Sequence, residues 1–124
     1  MKDLGRLITA MVTPFKNNGE VDFERAKDFA KALVNTGSDG LLIGGTTGES
    51  PSMNEDEKLK LFKSVKDAVG TTASVIAGTT DNNTIASIDL SKKAEKLGVD
   101  AILLTVPAYN KPTQEGLFQH FKKI

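Results

Sequence analysis

Four short apolar runs alternate with four longer amphipathic stretches, and one junction between them recurs along the chain in residue type. The runs are Leu7 to Val12, Leu41 to Ile43, Ser74 to Ala77 and Ala101 to Val106. They are rich in branched residues and lack clean polar alternation, which is how strands buried on both faces of a parallel sheet read. Gly37-Ser38-Asp39-Gly40-Leu41-Leu42-Ile43 matches Gly98-Val99-Asp100-Ala101-Ile102-Leu103-Leu104 in residue type, position by position but for Ser38 against Val99. Such a repeat marks a recurring unit in which a helix end feeds a strand. Its spacing spans two strand–helix units, so the chain counts as four.

The stretches between the runs read as helices. The first places Phe23, Ala26, Ala30 and Leu33 on one face and is followed by Gly37. The second opens on Asn54 and Glu57, spaced as a capping box, gathers Leu61, Phe62, Val65, Ala68 and Val69, and stops at Gly70. The third runs from about Asn83 to Leu97, before Gly98. The fourth begins at Pro112-Thr113 and repeats Leu117, Phe118, Phe121 and Ile124 at helical spacing. Its period is still running at Ile124, and the expectation is an amino-terminal half-barrel over residues 1–124 that is truncated in this helix. A full (β/α)8 TIM barrel takes about 250 residues, so the α/β reading is its (β/α)4 half. On pattern alone, a four-stranded open α/β sheet competes.

Composition narrows the function. Acidic and basic residues balance at 16 each, which gives no footprint for nucleic acid or an acidic membrane surface. There is no cysteine, hence no disulfide framework and no thiolate metal site. The first residues show no signal peptide, and the apolar runs are strand-sized, too short to span a bilayer. A cytoplasmic protein is expected.

In either layout ligands sit at the carboxyl ends of the strands. Those ends carry Thr13-Pro14-Phe15, Gly44-Gly45-Thr46-Thr47-Gly48-Glu49-Ser50, Gly78-Thr79-Thr80-Asp81 and Pro107-Ala108-Tyr109-Asn110. Hydroxyls recur at all four, a rim suited to a small, oxygen-rich substrate. The glycine turn lacks the lysine of a P-loop and does not fit the dinucleotide fingerprint. It can serve a bound carboxylate, or it can be a tight connection whose glycines answer backbone angles alone. Tyr109, the sole tyrosine, can be a site residue or a buried ring with a hydroxyl partner. His120 reads as a helical residue outside the chemistry, and Glu49 as a carboxylate that orders the turn. No clustered ligand set points to a metal, and no cofactor is expected.

Three segments in register resemble the dihydrodipicolinate synthase family: Gly45-Thr46-Thr47-Gly48-Glu49-Ser50, Val75-Ile76-Ala77-Gly78-Thr79 and Pro107-Ala108-Tyr109-Asn110-Lys111-Pro112-Thr113-Gln114-Glu115-Gly116-Leu117. Thr13-Pro14-Phe15 fits as well. The resemblance runs from end to end but covers only the amino-terminal half of that family. The paired threonines favour it over the related N-acetylneuraminate lyases, which usually carry a serine before the threonine. The resemblance implies a (β/α)8 barrel and a class I aldolase-type lyase of lysine (diaminopimelate) biosynthesis, in which pyruvate forms a Schiff base with a lysine and condenses with aspartate semialdehyde. By position it implies Thr46 as a proton-relay residue, Gly45 and Thr47 as the grip on the pyruvate carboxylate, and Tyr109 as the tyrosine that enters a neighbouring subunit's site. It also implies a homo-oligomer. Ala108 stands where the family usually has an interface tyrosine, and Ala86 and Ala108 replace residues of the lysine feedback site, while Ser50 and Asn82 are retained. Insensitivity to lysine is expected.

A Schiff-base lysine needs a desolvated pocket that lowers its pKa. Lys27, Lys31, Lys60, Lys92, Lys93 and Lys96 fall in helices, and Lys16 and Lys111 in loops. None falls in a strand, so the nucleophile lies elsewhere and the chain alone is expected to be inactive. Two readings follow: part of a pyruvate aldolase, of this family or another of its superfamily, or a non-catalytic half-barrel that self-associates, as a dimer, to cover its open edges and apolar interior.

Overall fold

The computed structural model describes residues 3–124. Four strands, β1 (Ile8–Ala10), β2 (Gly40–Ile43), β3 (Ser74–Gly78) and β4 (Ala101–Leu103), form one sheet in the order β1-β2-β3-β4. Every neighbouring pair is parallel. Between and after them come α1 (Phe23–Asn35), α2 (Glu55–Val69), α3 (Thr84–Lys96) and α4 (Gln114–Lys123), with a 3-10 turn at Ser50–Ser52. Because strand order follows chain order, the crossovers all advance the same way. Right-handed crossovers in one direction place the helices on a single face. An open doubly wound sheet needs a reversal, and none occurs here. The layout is the (β/α)4 portion of a TIM barrel.

Each helix starts where its capping residue can bind an orphan N–H. The Asp22 side chain accepts from the Arg25 N–H, the Asn83 side chain from Ile85 and Ala86, and the Thr113 side chain from Gly116. At α2 the Asn54–Glu57 capping box forms in both directions at 2.9 Å. Acidic residues fill the first turn of α2 and Lys66 its last, in accord with the helix dipole.

Side chains alternate across a strand, and burial follows. Leu41, Ile43, Val75 and Ala77 join Ala26, Ala30, Leu61, Phe62, Val65, Leu90 and Ala94 in one core between sheet and helices. Ile76 is buried yet lies outside that cluster, so it belongs to the opposite face, the one that lines a barrel's interior. There Ile8 and Val12 remain exposed, at 42% and 48%.

The outer strands are shorter than the apolar runs suggest. After Ala10 one more ladder bond forms, from the Met11 N–H to the Leu42 carbonyl, and then the chain turns into Thr13. After Leu103 the Thr105 N–H is taken by the Thr80 hydroxyl at 2.8 Å instead of a strand partner. Helix α4 also departs from expectation. Its one buried residue is His120, while Phe118 and Phe121 are exposed. It packs mainly on α3, and the two phenylalanine rings meet only residues of their own helix among the described ring contacts, the Lys122 ammonium over Phe118 and the His120 ring edge-to-face with Phe121.

The internal repeat has a structural counterpart. Asp39, ahead of β2, accepts the N–H groups of Arg6 (2.8 Å) and Leu7 (2.9 Å) leading into β1. Asp100, ahead of β4, accepts the Val75 N–H of β3 at 2.8 Å and the Lys66 ammonium at 2.7 Å. In both units a carboxylate at the amino end of one strand ties down the start of the preceding one.

Candidate active site

Beyond the carboxyl ends of β2, β3 and β4 lies a cavity of about 510 Å³. The turn after β2 supplies Gly45, Thr46 and Ser50, the loop after β3 supplies Thr80 and Asn82, and the segment after β4 supplies Thr105 and Ala108. Lys58 of α2 completes one wall.

Steric necessity shapes the turn after β2. Gly44 has φ +63°, and a Cβ there would lie 2.9 Å from the Phe62 ring. A Cβ on Gly78 would lie 2.3 Å from the Gly44 carbonyl oxygen, so β2 and β3 converge too tightly for any side chain. The glycines therefore answer backbone geometry, at these two positions at least. The buried Thr13 hydroxyl pins the turn from below by donating to the Gly48 carbonyl at 2.6 Å. Glu49 acts through its backbone: it sits at φ 54° and its side chain caps nothing, contrary to the expected role for its carboxylate. Its N–H closes the turn onto the Thr46 carbonyl at 3.0 Å, and the Ser50 N–H reaches Gly45. The N–H groups of Thr46, Thr47 and Gly48 donate to nothing among the described residues. Consecutive free N–H groups in a glycine turn form an anion-binding concavity, and two exposed threonine side chains flank it.

The candidate residues do not all meet in one wall. Gly45 and Thr46 line the cavity, whereas Thr47 and Tyr109 do not. Tyr109 is fully exposed, so the alternative of a buried ring is set aside. It stands at φ +71° with Lys111 at +40°, left-handed conformations that non-glycine residues rarely adopt. Of the positions that the resemblance assigns to lysine feedback, Ser50, Asn82 and Ala108 line the cavity and Ala86 does not.

Among the described residues no strand carries a lysine. Lys66 is tied to Asp100 at the other end of the sheet. Lys93 is held above the usual ammonium range, chiefly by its hydrogen bond to Glu55, the opposite of what an amine nucleophile requires. Lys58 is the lysine that sequence reasoning passed over. The only hint was its position four residues into a helix whose start faces the glycine turn. His120 stays outside this site: its Nδ1 pairs with the Thr84 hydroxyl at 2.8 Å, and its buried Nε2 has no partner. No group of three or more metal-ligating side chains occurs among the described residues.

Residues 3–124 match the Dihydrodipicolinate synthetase family. The 4-hydroxy-tetrahydrodipicolinate synthase of Heliobacterium modesticaldum is 59% identical over 122 residues, covering 98% of this chain and 41% of that protein. The crystal structure of a dihydrodipicolinate synthase from Bacillus anthracis superposes with a TM-score of 0.96 at 51% identity, over 100% of this chain and 42% of that one. A dihydrodipicolinate synthase from Cyanidioschyzon merolae, crystallised with lysine bound, gives 0.94 at 49%, over 98% of this chain and 41% of that one. The chain thus spans about two-fifths of the length of these relatives, corresponding to their amino-terminal part. With residues 3–124 matched by the family model and its four strand–helix units superposing on these structures, the chain belongs to the dihydrodipicolinate synthetase family.

Proposed function

We propose that residues 1–124 are the amino-terminal half of a cytoplasmic dihydrodipicolinate synthase, a class I aldolase-type lyase that condenses pyruvate with aspartate semialdehyde in lysine biosynthesis. The observation that carries this reading is the row of free N–H groups at Thr46, Thr47 and Gly48 beside a cavity of about 510 Å³. Thr47 and the backbone from Gly45 take the pyruvate carboxylate. The Thr46 hydroxyl both donates and accepts, so it passes a proton without carrying net charge. Tyr109 extends this relay into a neighbouring subunit. The reacting lysine lies outside these residues, and the reaction calls for no metal or cofactor. The protein is insensitive to lysine, because Ala86 and Ala108 offer it no polar or aromatic group and Lys58 places a cation in the cavity wall.

Intact mass after incubation with pyruvate and borohydride, which fixes any Schiff base, tests this division of labour. The expected result is no adduct on the 124-residue chain. A stoichiometric adduct mapping to Lys58 would place the nucleophile in this half instead.

A second reading concerns the chain by itself. The interior face of its sheet exposes Ile8 and Val12, and β1 and β4 each have one free edge. Exposed apolar faces and open edges favour self-association. A twofold dimer by light scattering at micromolar concentration is expected, and a monomer throughout that range removes this reading.

A further inference from the structure

Backbone gives little support to the segment that carries Tyr109. From Leu104 to Lys111 the one backbone–backbone hydrogen bond among the described residues runs from the Asn110 N–H to the Ala108 carbonyl, inside the turn itself. Side chains of the preceding loop tie the segment to the body. The Thr80 hydroxyl accepts the Thr105 N–H at 2.8 Å. Asn82 grips one residue twice: its Oδ1 accepts the Ala108 N–H at 2.8 Å, and its Nδ2 donates to the Ala108 carbonyl at 3.3 Å. An amide side chain thus offers Ala108 both bonds that a neighbouring strand would supply.

That loop is in turn fixed from behind. The fully buried Ser87 of α3 accepts the Asp81 N–H at 2.7 Å and donates to the Asp81 carbonyl at 3.2 Å. One helical turn on, Ser91 donates to the buried Thr79 hydroxyl at 2.8 Å. The Tyr109 ring is fully exposed on this chain, so packing within the chain contributes nothing to its placement. Its backbone is left-handed, a state that persists only where surrounding contacts over-determine it.

We infer that Asn82, backed by Ser87, is a positioning residue for Tyr109, holding Ala108 so that the phenol is presented at a fixed place and angle. The functional weight of this inference rests on the proposed role of Tyr109 as a relay residue; the positioning itself does not. It places the determinants of the tyrosine's geometry on α3 and on the loop after β3, apart from the segment that bears the ring.

The chain has one tyrosine and no tryptophan, so its ultraviolet emission reports on Tyr109 alone. In Asn82→Ala, hydrogen exchange of the Ala108 amide is expected to quicken about fivefold, from the ordinary net worth of one such bond. Tyr109 emission should depolarise faster at the same time, while core amides at Val75 and Ala77 keep their protection. Asn82→Asp retains the acceptor and should keep the Ala108 amide protected. Thr80→Val should free the Thr105 amide and leave Ala108 held. Unchanged Ala108 exchange and unchanged depolarisation in Asn82→Ala would overturn the inference. So would loss of protection spread evenly through the core, which marks a general structural role. A failure of the relay reading shows differently: full-length Tyr109→Phe enzyme would remain active although the loop is ordered.

Discussion

The amino ends of β2 and β4 are built alike, with a left-handed glycine (Gly37, Gly98) and a carboxylate (Asp39, Asp100) bound to the start of the preceding strand. The carboxyl ends of the same strands have little in common. β2 runs into a glycine turn closed by its own backbone and pinned by Thr13, whereas β4 runs into a segment that borrows its support from Thr80 and Asn82. The difference teaches where the chain is free to vary. At the amino ends the task is the same in each unit, to close a helix onto a strand, and the same residues recur. At the carboxyl ends no common closure is repeated, the residues differ, and the left-handed non-glycine residues Glu49, Tyr109 and Lys111 collect there. The division matches the general one in barrel enzymes, with stability at one end and chemistry at the other.

The comparison can be tested from its strongest consequence downward. Phe62 is fully buried beneath Gly44, and Phe62→Ala should cost about 3–5 kcal/mol in urea unfolding. A cost near that of a surface change would mean the glycine turn does not rest on the core.

Next come the paired carboxylates, which are not equal. Asp100 is 7% exposed and paired with Lys66, itself 17% exposed. Asp100→Ala strands a largely buried ammonium and the Val75 N–H, and a loss of about 2–3 kcal/mol is expected. Asp39 is solvent-exposed, and its hydrogen bonds from Leu7 first and Arg6 second hold its carboxyl below the usual range. A depressed folded pKa gives stability that is present above the unfolded value of about 3.9 and is lost as pH falls through the folded one. Asp39→Asn should therefore flatten the acid limb of the stability–pH curve while costing less than Asp100→Ala at neutral pH. An unchanged acid limb would show that the exposed clamp contributes nothing.

The smallest effect belongs to the chemical end. Tyr109→Phe should change thermal stability by less than about 0.5 kcal/mol, since the hydroxyl of a fully exposed ring has no folded-state partner to lose. A larger loss would make that segment a structural element and blur the distinction between the two ends.

The sequence by itself determined the alternation, the count of units and the helix caps. These depend on short-range rules that act within a few residues: period, capping chemistry, and glycine where φ is positive. It also exposed the Asp39–Asp100 repeat, though without showing what the carboxylates bind, because their partners at Leu7 and Val75 are 32 and 25 residues away and only sheet register brings them near. The glycine–threonine turn was legible as a candidate site, and the absence of lysine from every strand was legible too. Only the tertiary structure decided that Thr46 faces the cavity while Thr47 and Tyr109 do not line it, that Lys58 enters its wall, and that Asn82 holds Ala108. It also left Phe118 and Phe121 of α4 exposed. Helical periodicity states which residues share a face, but whether that face is covered depends on what packs against it.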